Sequence, residues 1–230
     1  MSLVAAAATM IEETDPGHAM ASDAAMLTAA EAGHPGIRLY RWGAVCVTLG
    51  RFQDPASALI STTSVAWAHR PTGGAAVLHG CDVTLTAAVP LRVLTGAADW
   101  PGVRVVYRSL AHIAIDFLAA NGVRARLAGD DADVQSGSRQ HDCFASTSRN
   151  DIIDYQGKKV CGCALRITKL AALLQTSIPV SASEIEPASV IVGATRHGVT
   201  WICLTDTRIE ALPSWRRLNQ GPSSEEPRLA

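Results

Sequence analysis

The sequence predicts an α+β chain in which mixed β-sheets are flanked by a few helices. Three observations carry that reading. Short strand-like runs, several alternating apolar with polar, recur from residue 37 onward. Two segments, 20–32 and 104–121, carry helical periodicity instead. Glycine, proline and asparagine punctuate the joins between them.

In order along the chain, Met20, Ala24, Leu27 and Ala30 fall on one face of a helix over 20–32, and Gly33, His34, Pro35 and Gly36 stop it. Strand-like runs follow at 37–42 and 44–50, then a loop of proline and serine at 54–58. The run 64–68 leads into a Gly-Gly turn, 75–79 leaves it, and 82–89 continues as an alternating strand closed by Pro90. Val105, Leu110, Ile113, Phe117 and Leu118 define a long amphipathic helix over 104–121, with Asn121-Gly122 in C-cap position. A strand is expected near 123–128 and a polar surface loop at 129–141. Strands at 151–155 and 158–166 are joined by a short turn at Gln156-Gly157. A helix or loop at 167–175, a strand near 176–181 and two β-like runs at 189–194 and 199–205 complete the pattern. The main domain is read as 10–210, with flexible ends at 1–9 and 221–230.

Composition narrows the function classes. The chain has 230 residues, 48% of them hydrophobic and only 5% aromatic, so its core is built mainly from Ala, Val, Leu and Ile. A net charge of −1 argues against a nucleic-acid partner held by a broad basic surface. No run of about eighteen apolar residues exists, so no membrane span is expected. The N-terminus lacks the basic lead of a signal peptide, so a cytoplasmic location is expected, with the six cysteines as reduced thiols. Cys161 and Cys163 share one face of a strand and lack the partners a zinc site needs, so no metal site is expected.

Two stretches concentrate the chemistry. Residues 69–79 place Arg70 before Gly73-Gly74, with His79 beyond an apolar run. The glycines free the backbone for positive φ and close approach to a ligand, and a fixed guanidinium can grip an anion or carbonyl. By itself the same pattern also fits a hairpin with a glycine turn, and His79 fits a structural histidine as well as a ligand contact. The second stretch is Gly157-Lys158-Lys159-Val160-Cys161-Gly162-Cys163-Ala164, preceded by Cys143-Phe144 and by Asn150-Asp151-Ile152-Ile153. Only three lysines occur among twenty basic residues, and two of them are adjacent here. Gly162 and Ala164 leave room beside the strand. Cys143 fits either a reactive thiol or an inert core cysteine.

Together, Arg70-Pro71-Thr72-Gly73-Gly74-x-Ala76-Val77-Leu78-His79, Cys143-Phe144, the Asp151 strand and Gly157-Lys158-Lys159-Val160-x-Gly162-x-Ala164 resemble the catalytic domain shared by lipoate–protein ligases, octanoyltransferases and biotin–protein ligases. The likeness is strongest to the single-domain, ligase-like octanoyltransferases and spans roughly residues 10–180. It implies a biotin/lipoate ligase-like fold and an acyltransferase that moves an octanoyl or lipoyl group to a lysine of a lipoyl-domain protein. The donor would be an acyl carrier protein or another acylated carrier. It further implies Cys143 as acyl-carrying nucleophile, Lys159 as carbonyl stabiliser, and Arg70, Gly73, Gly74, His79, Gly162 and Ala164 as substrate-binding residues, with Asp151 supporting the sheet. The transferase reading needs no cofactor. An ATP-dependent lipoate–protein ligase would need ATP and magnesium, and a non-catalytic acyl- or carrier-binding homologue is a third reading. Biotin ligation is disfavoured, because the Gly-Arg-Gly-Arg-x-Gly signature is absent. The chain departs from the family pattern at Ala75, where glycine or arginine is usual. It departs again after Gln175, where a His-Gly pair is missing, and at Cys163, where serine is usual.

Overall fold

The computed structural model describes residues 10–95, 100, 102–130, 141–145, 147–194 and 200–220. The expected flexible ends at 1–9 and 221–230, and most of the expected loop at 129–141, lie outside the described residues.

A seven-stranded sheet forms the centre. Its strands are β1 (Ile11–Glu13), β2 (Gly36–Trp42), β6 (Asp82–Pro90), β7 (Ala125–Leu127), β8 (Ile152–Asp154), β9 (Lys159–Ile167) and β10 (Ala171–Pro179), in the order β1-β2-β6-β10-β9-β8-β7. Only the β1–β2 pair is parallel. A second sheet holds β3 (Cys46–Leu49) between β4 (Ala66–His69), parallel to it, and β5 (Val77–His79), antiparallel. The helices are α1 (Pro16–Glu31), α2 (Pro55–Ala58), α3 (Leu91–Thr95), α4 (Val103–Ala120) and α5 (Pro213–Gln220). The fold is therefore α+β with mixed sheets, as expected. No helix among the described residues is long and apolar enough to cross a membrane.

All nine residues of β6 and all nine of β10 are buried, because both faces of the central sheet are covered. Along β6, Val83, Leu85, Ala87 and Val89 join Leu174 and Ile178 of β10 beneath Val106, Leu110, Ile113 and Phe117 of α4. The opposite face carries Thr84, Thr86 and Ala88, and α1 covers it through Leu27 and Ala30 on Ala88, Ala171 and Leu173. The small sheet has its own core, in which Val47, Leu49 and Leu78 meet Leu59, Val190 and Ile191.

Differences from the sequence reading have local causes. The first helix begins at Pro16, four residues early, because the Asp15 carboxylate accepts hydrogen bonds from Gly17 N at 2.7 Å and His18 N at 3.3 Å. Residues 167–175, expected as helix or loop, are mostly strand. The turn after β9 is tight, since Thr168 Oγ1 accepts from Ala171 N at 3.1 Å, and Ala171–Leu174 then lie between β6 and β9. Pairing on both edges outweighs the weak strand propensity of Ala171-Ala172. The two final β-like runs are not strands. Pro187–Ser189 is a 3₁₀ turn, Ile191 makes one isolated bridge to Leu59, and the described part of 199–205 forms no ladder, Ile202 N donating to Pro179 O at the end of β10 at 3.0 Å.

One contact fixes how the small sheet meets the glycine turn. A Cβ on Gly50 would lie 1.9 Å from the carbonyl oxygen of Gly74 and 2.9 Å from its carbon. Both are backbone atoms, so no rotamer change relieves the clash. Gly50→Ala is expected to cost about 2 kcal/mol or more in urea unfolding, towards the upper end of overpacking penalties. An unchanged unfolding midpoint would contradict that tight approach.

Candidate active site

Cys143 does not precede a strand. It opens a 3₁₀ turn, Cys143–Ala145, that Asp142 caps by accepting from Phe144 N at 3.0 Å. This turn is stitched to the strand leaving the glycine loop: Ala76 N donates to His141 O at 2.6 Å, and Cys143 N donates to Ala76 O at 2.8 Å. The 69–79 and 141–145 segments are thereby one unit.

On the other side stands Lys159, at the start of β9. Its Nζ donates to Cys143 O at 2.6 Å, lies 3.8 Å from Cys143 Sγ, and forms an ion pair with Asp151 Oδ2 at 3.0 Å. The Phe144 ring centroid is 4.9 Å from the same ammonium. Lys158 is exposed. A bulge between β8 and β9 sets the register. Gly162 supplies the space for the thiol, since a Cβ there would lie 3.0 Å from Cys143 Sγ and 3.7 Å from Lys159 Cε.

Arg70 is buried, and its guanidinium faces main-chain carbonyls. Nε and Nη2 donate to Gly73 O at 3.1 and 2.6 Å, Nη2 to Ala75 O at 2.7 Å, and Nη1 to Thr48 O at 3.2 Å. Its positive charge reaches Cys143, but its hydrogen bonds hold the turn. Gly74 has φ +94°, which accounts for the glycine there. His79 stacks on Trp42 with ring centroids 4.2 Å apart. Its Nε2 bonds Thr48 Oγ1 and its Nδ1 bonds Asp82 Oδ2, both at 2.8 Å.

Two spaces meet at the thiol. A cleft of about 1430 Å³ is lined by Gly73, Gly74, Cys143, Lys159 and Ala164, with Phe52 at its rim. A crevice of about 30 Å³ runs past Arg70, His79 and Gly162. Cys143, Cys163 and Ala164 line both. The site residues thus line a wide cleft and a narrow crevice. The crevice has room for about one water, so the cleft is the space open to a larger ligand without rearrangement.

Electrostatics separate the partners. Burial pushes the Cys143 thiol above its ordinary pKa, against the pull of Lys159 and Arg70, while Asp151 and Asp142 add to the rise. Both cations stand near the thiol, and burial outweighs them. Burial pulls Lys159 down, but the negative charge that Cys143 and Asp151 can supply raises it overall. With the thiol protonated at neutral pH, Asp151 is the partner that keeps the ammonium charged. Asp151 therefore does more than support the sheet. Nothing in its own sequence context marks that role, because it depends on β8 and β9 pairing. Cys163, which stands where serine is usual in the family pattern, lines the same cleft. Its thiol is more acidic than usual, chiefly through a hydrogen bond from Cys161 and despite burial, with Tyr107 and Thr176 as further partners. All six cysteines are free thiols.

The thiolate is the alkylating form, so a raised pKa shifts Cys143 alkylation to higher pH than an exposed thiol shows. Lys159→Met removes the largest attraction for the thiolate and is expected to move that profile further upward. The check is iodoacetamide labelling across pH 7–10 with peptide mapping. A profile that stays in place or moves down would remove Lys159 as the thiolate's partner.

Comparison with known proteins shows the family of the chain. Residues 15–217 match the lipoyl protein ligase A/B catalytic domain. Octanoyltransferase LipM of Symbiobacterium thermophilum is 29% identical over 164 residues, 65% of this chain and 58% of that protein. Octanoyltransferase LipM of an Exiguobacterium strain is 28% identical over 192 residues, 75% of this chain and 65% of that protein. The chain thus spans about three fifths of the length of these curated relatives. Among solved structures, lipoate-protein ligase A bound with ATP superimposes with a TM-score of 0.62 at 21% identity, covering 79% of this chain and 69% of its own. The bipartite lipoate protein ligase of Thermoplasma acidophilum gives 0.54 at 20% identity, covering 90% and 71%. These two establish the fold alone, and the match over 15–217 establishes the family: the chain belongs to the lipoyl protein ligase A/B catalytic domain family.

Proposed function

We propose that the protein transfers an octanoyl group from a carrier thioester to a lysine of a lipoyl-domain protein through an acyl–Cys143 intermediate. The observation that carries this is Lys159 Nζ at 3.8 Å from Cys143 Sγ, where the cleft meets the crevice. The octanoyltransferase names of the relatives support the acyl group, and the lipoyl domain studied with the Thermoplasma ligase supports the acceptor class.

In the first half-reaction Cys143 Sγ bonds to the donor's carbonyl carbon, the donor's C–S bond breaks, and the donor leaves as a thiol with the proton that Cys143 gave up. In the second, the acceptor lysine nitrogen bonds to that carbon, the Cys143 C–S bond breaks, and the amine proton returns to sulfur. Each tetrahedral stage puts negative charge on the carbonyl oxygen, and the Lys159 ammonium stands beside the sulfur to stabilise it. A half-buried thiol of raised pKa is a weak resting nucleophile. Substrate carrying the oxyanion towards Lys159 compensates at the stage where the charge moves. Gly73 and Gly74 line the cleft that takes the chain, and Arg70 sets their position. His79, Gly162 and Ala164 shape the crevice wall behind the thiol.

Incubation with an octanoyl-carrier thioester is expected to add one octanoyl mass that hydroxylamine removes and that Cys143→Ser loses as a thioester. Lys159→Ala is expected to slow acylation about a hundred- to thousandfold, the usual effect of deleting one oxyanion stabiliser. ATP and magnesium should leave transfer unchanged, because the donor is already activated. Transfer that requires ATP and survives Cys143→Ser would establish ligase chemistry in its place. Binding of a lipoyl domain with no transfer by the wild type would mark a repurposed binder.

A further inference from the structure

Gln175 has no place in the chemistry above, yet it is buried at the middle of β10, between Thr86 on β6 and Ala164 on β9. Its Nε2 lies 2.6 Å from Asp23 Oδ2 and its Oε1 lies 2.6 Å from Thr72 Oγ1. The amide orientation follows from chemistry. Asp23 also accepts from Arg38 Nη1 at 3.0 Å, Tyr40 OH at 2.8 Å and Thr86 Oγ1 at 3.1 Å. An acceptor already drawing on three donors requires the NH₂ end of Gln175. The carbonyl end must then face Thr72, whose hydroxyl donates.

Thr72 is fully buried and immediately precedes Gly73-Gly74. Its carbonyl accepts from Arg51 N at 2.9 Å, so both its ends are held. Four residues on, Ala76 is hydrogen-bonded to the backbone of His141 and Cys143. A continuous path of short contacts therefore runs from Asp23 on α1, through the Gln175 amide, to the glycine turn and the Cys143 backbone.

We propose that Gln175 is a positioning residue: its amide, oriented by Asp23, fixes the Thr72 hydroxyl and through it the turn stitched to Cys143. Glutamate at this position would set a second carboxylate against Asp23, and an apolar side chain of the same length would leave Thr72 Oγ1 and Asp23 each short of a buried partner. The relay bears on acyl transfer only through the Cys143 chemistry proposed above, so the thiol itself provides the readout.

The folded full chain is labelled briefly with iodoacetamide, and peptide mapping gives the Cys143 rate against that of exposed Cys203 as internal reference. Gln175→Met and Thr72→Val are each expected to raise the ratio about fivefold, the effect of one buried neutral hydrogen bond. Thr72→Ser should keep the wild-type ratio. The double variant Gln175→Met/Thr72→Val should match Gln175→Met alone, since that change already removes the Thr72–Gln175 bond along with the bond to Asp23. Wild-type ratios in both single variants, or effects that multiply in the double, would overturn the proposal. If Gln175→Met fails to fold, the contrast between Thr72→Val and Thr72→Ser decides it. A wild type that follows this labelling pattern but transfers no acyl group overturns the function and leaves the relay intact.

Discussion

Asp23 is the constraint around which much of this fold is arranged. A carboxylate with no exposure must find donors, and its donors come from β2, β6 and β10 together. Burial lifts the carboxyl to about 6, while the bonds from Gln175, Tyr40 and Thr86 favour the ionised form. Arg38 also reaches Glu13 of β1, so the one parallel strand of the central sheet is tied to the same cluster. The apolar core beneath α4 supplies driving force without direction. The polar face beneath α1 supplies register, because a one-residue slip of β10 would turn Gln175 away from both Asp23 and Thr72.

The Cys143 thiol sits at a seam between three elements that are separate in sequence: the glycine turn, the Cys143 turn and β9. Two backbone bonds and one lysine close that seam. Placing Lys159 between Asp151 and Cys143 has a definite consequence. The carboxylate holds the ammonium charged while the sulfur stays protonated, so the cation is in position before any negative charge has developed. In the acyl transfer proposed above, such preorganisation would favour the transition state over the resting thiol.

Much of this was legible in the residues. The 104–121 periodicity marks α4 to within a residue at each end, and Gly157 with φ +80° stands in the turn foreseen between β8 and β9. Motif order brought Cys143, Lys159 and Gly162 into one hypothesis, and the fold puts them within contact distance. Local pattern fails where long-range pairing decides. Ala171–Leu174 become strand because β6 and β9 flank them, while 189–194 stay irregular because they pack on Leu59 without a sheet edge to join. The thiol's raised pKa was also out of reach, since motif spacing gives neighbours but not depth of burial.

The departures from the family pattern take on a physical meaning in this frame. At Ala75 the fold uses the carbonyl, which accepts from Arg70 Nη2, and any residue supplies a carbonyl. Alanine there preserves the turn and removes only side-chain chemistry from the cleft wall. After Gln175 the missing pair leaves β10 unbroken, and Thr176 and Ser177 take up partners on opposite faces of the sheet. Thr176 meets Cys163 and Ser177 donates to Asp82. Cys163 in turn packs with the apolar side of the sheet while still lining the cleft. These positions therefore vary what a substrate touches, whereas Gly50, Thr72 and Gln175 govern where the turn lies. Substitutions at Ala75 bear on substrate choice, and those at the Gln175 relay bear on the geometry at Cys143.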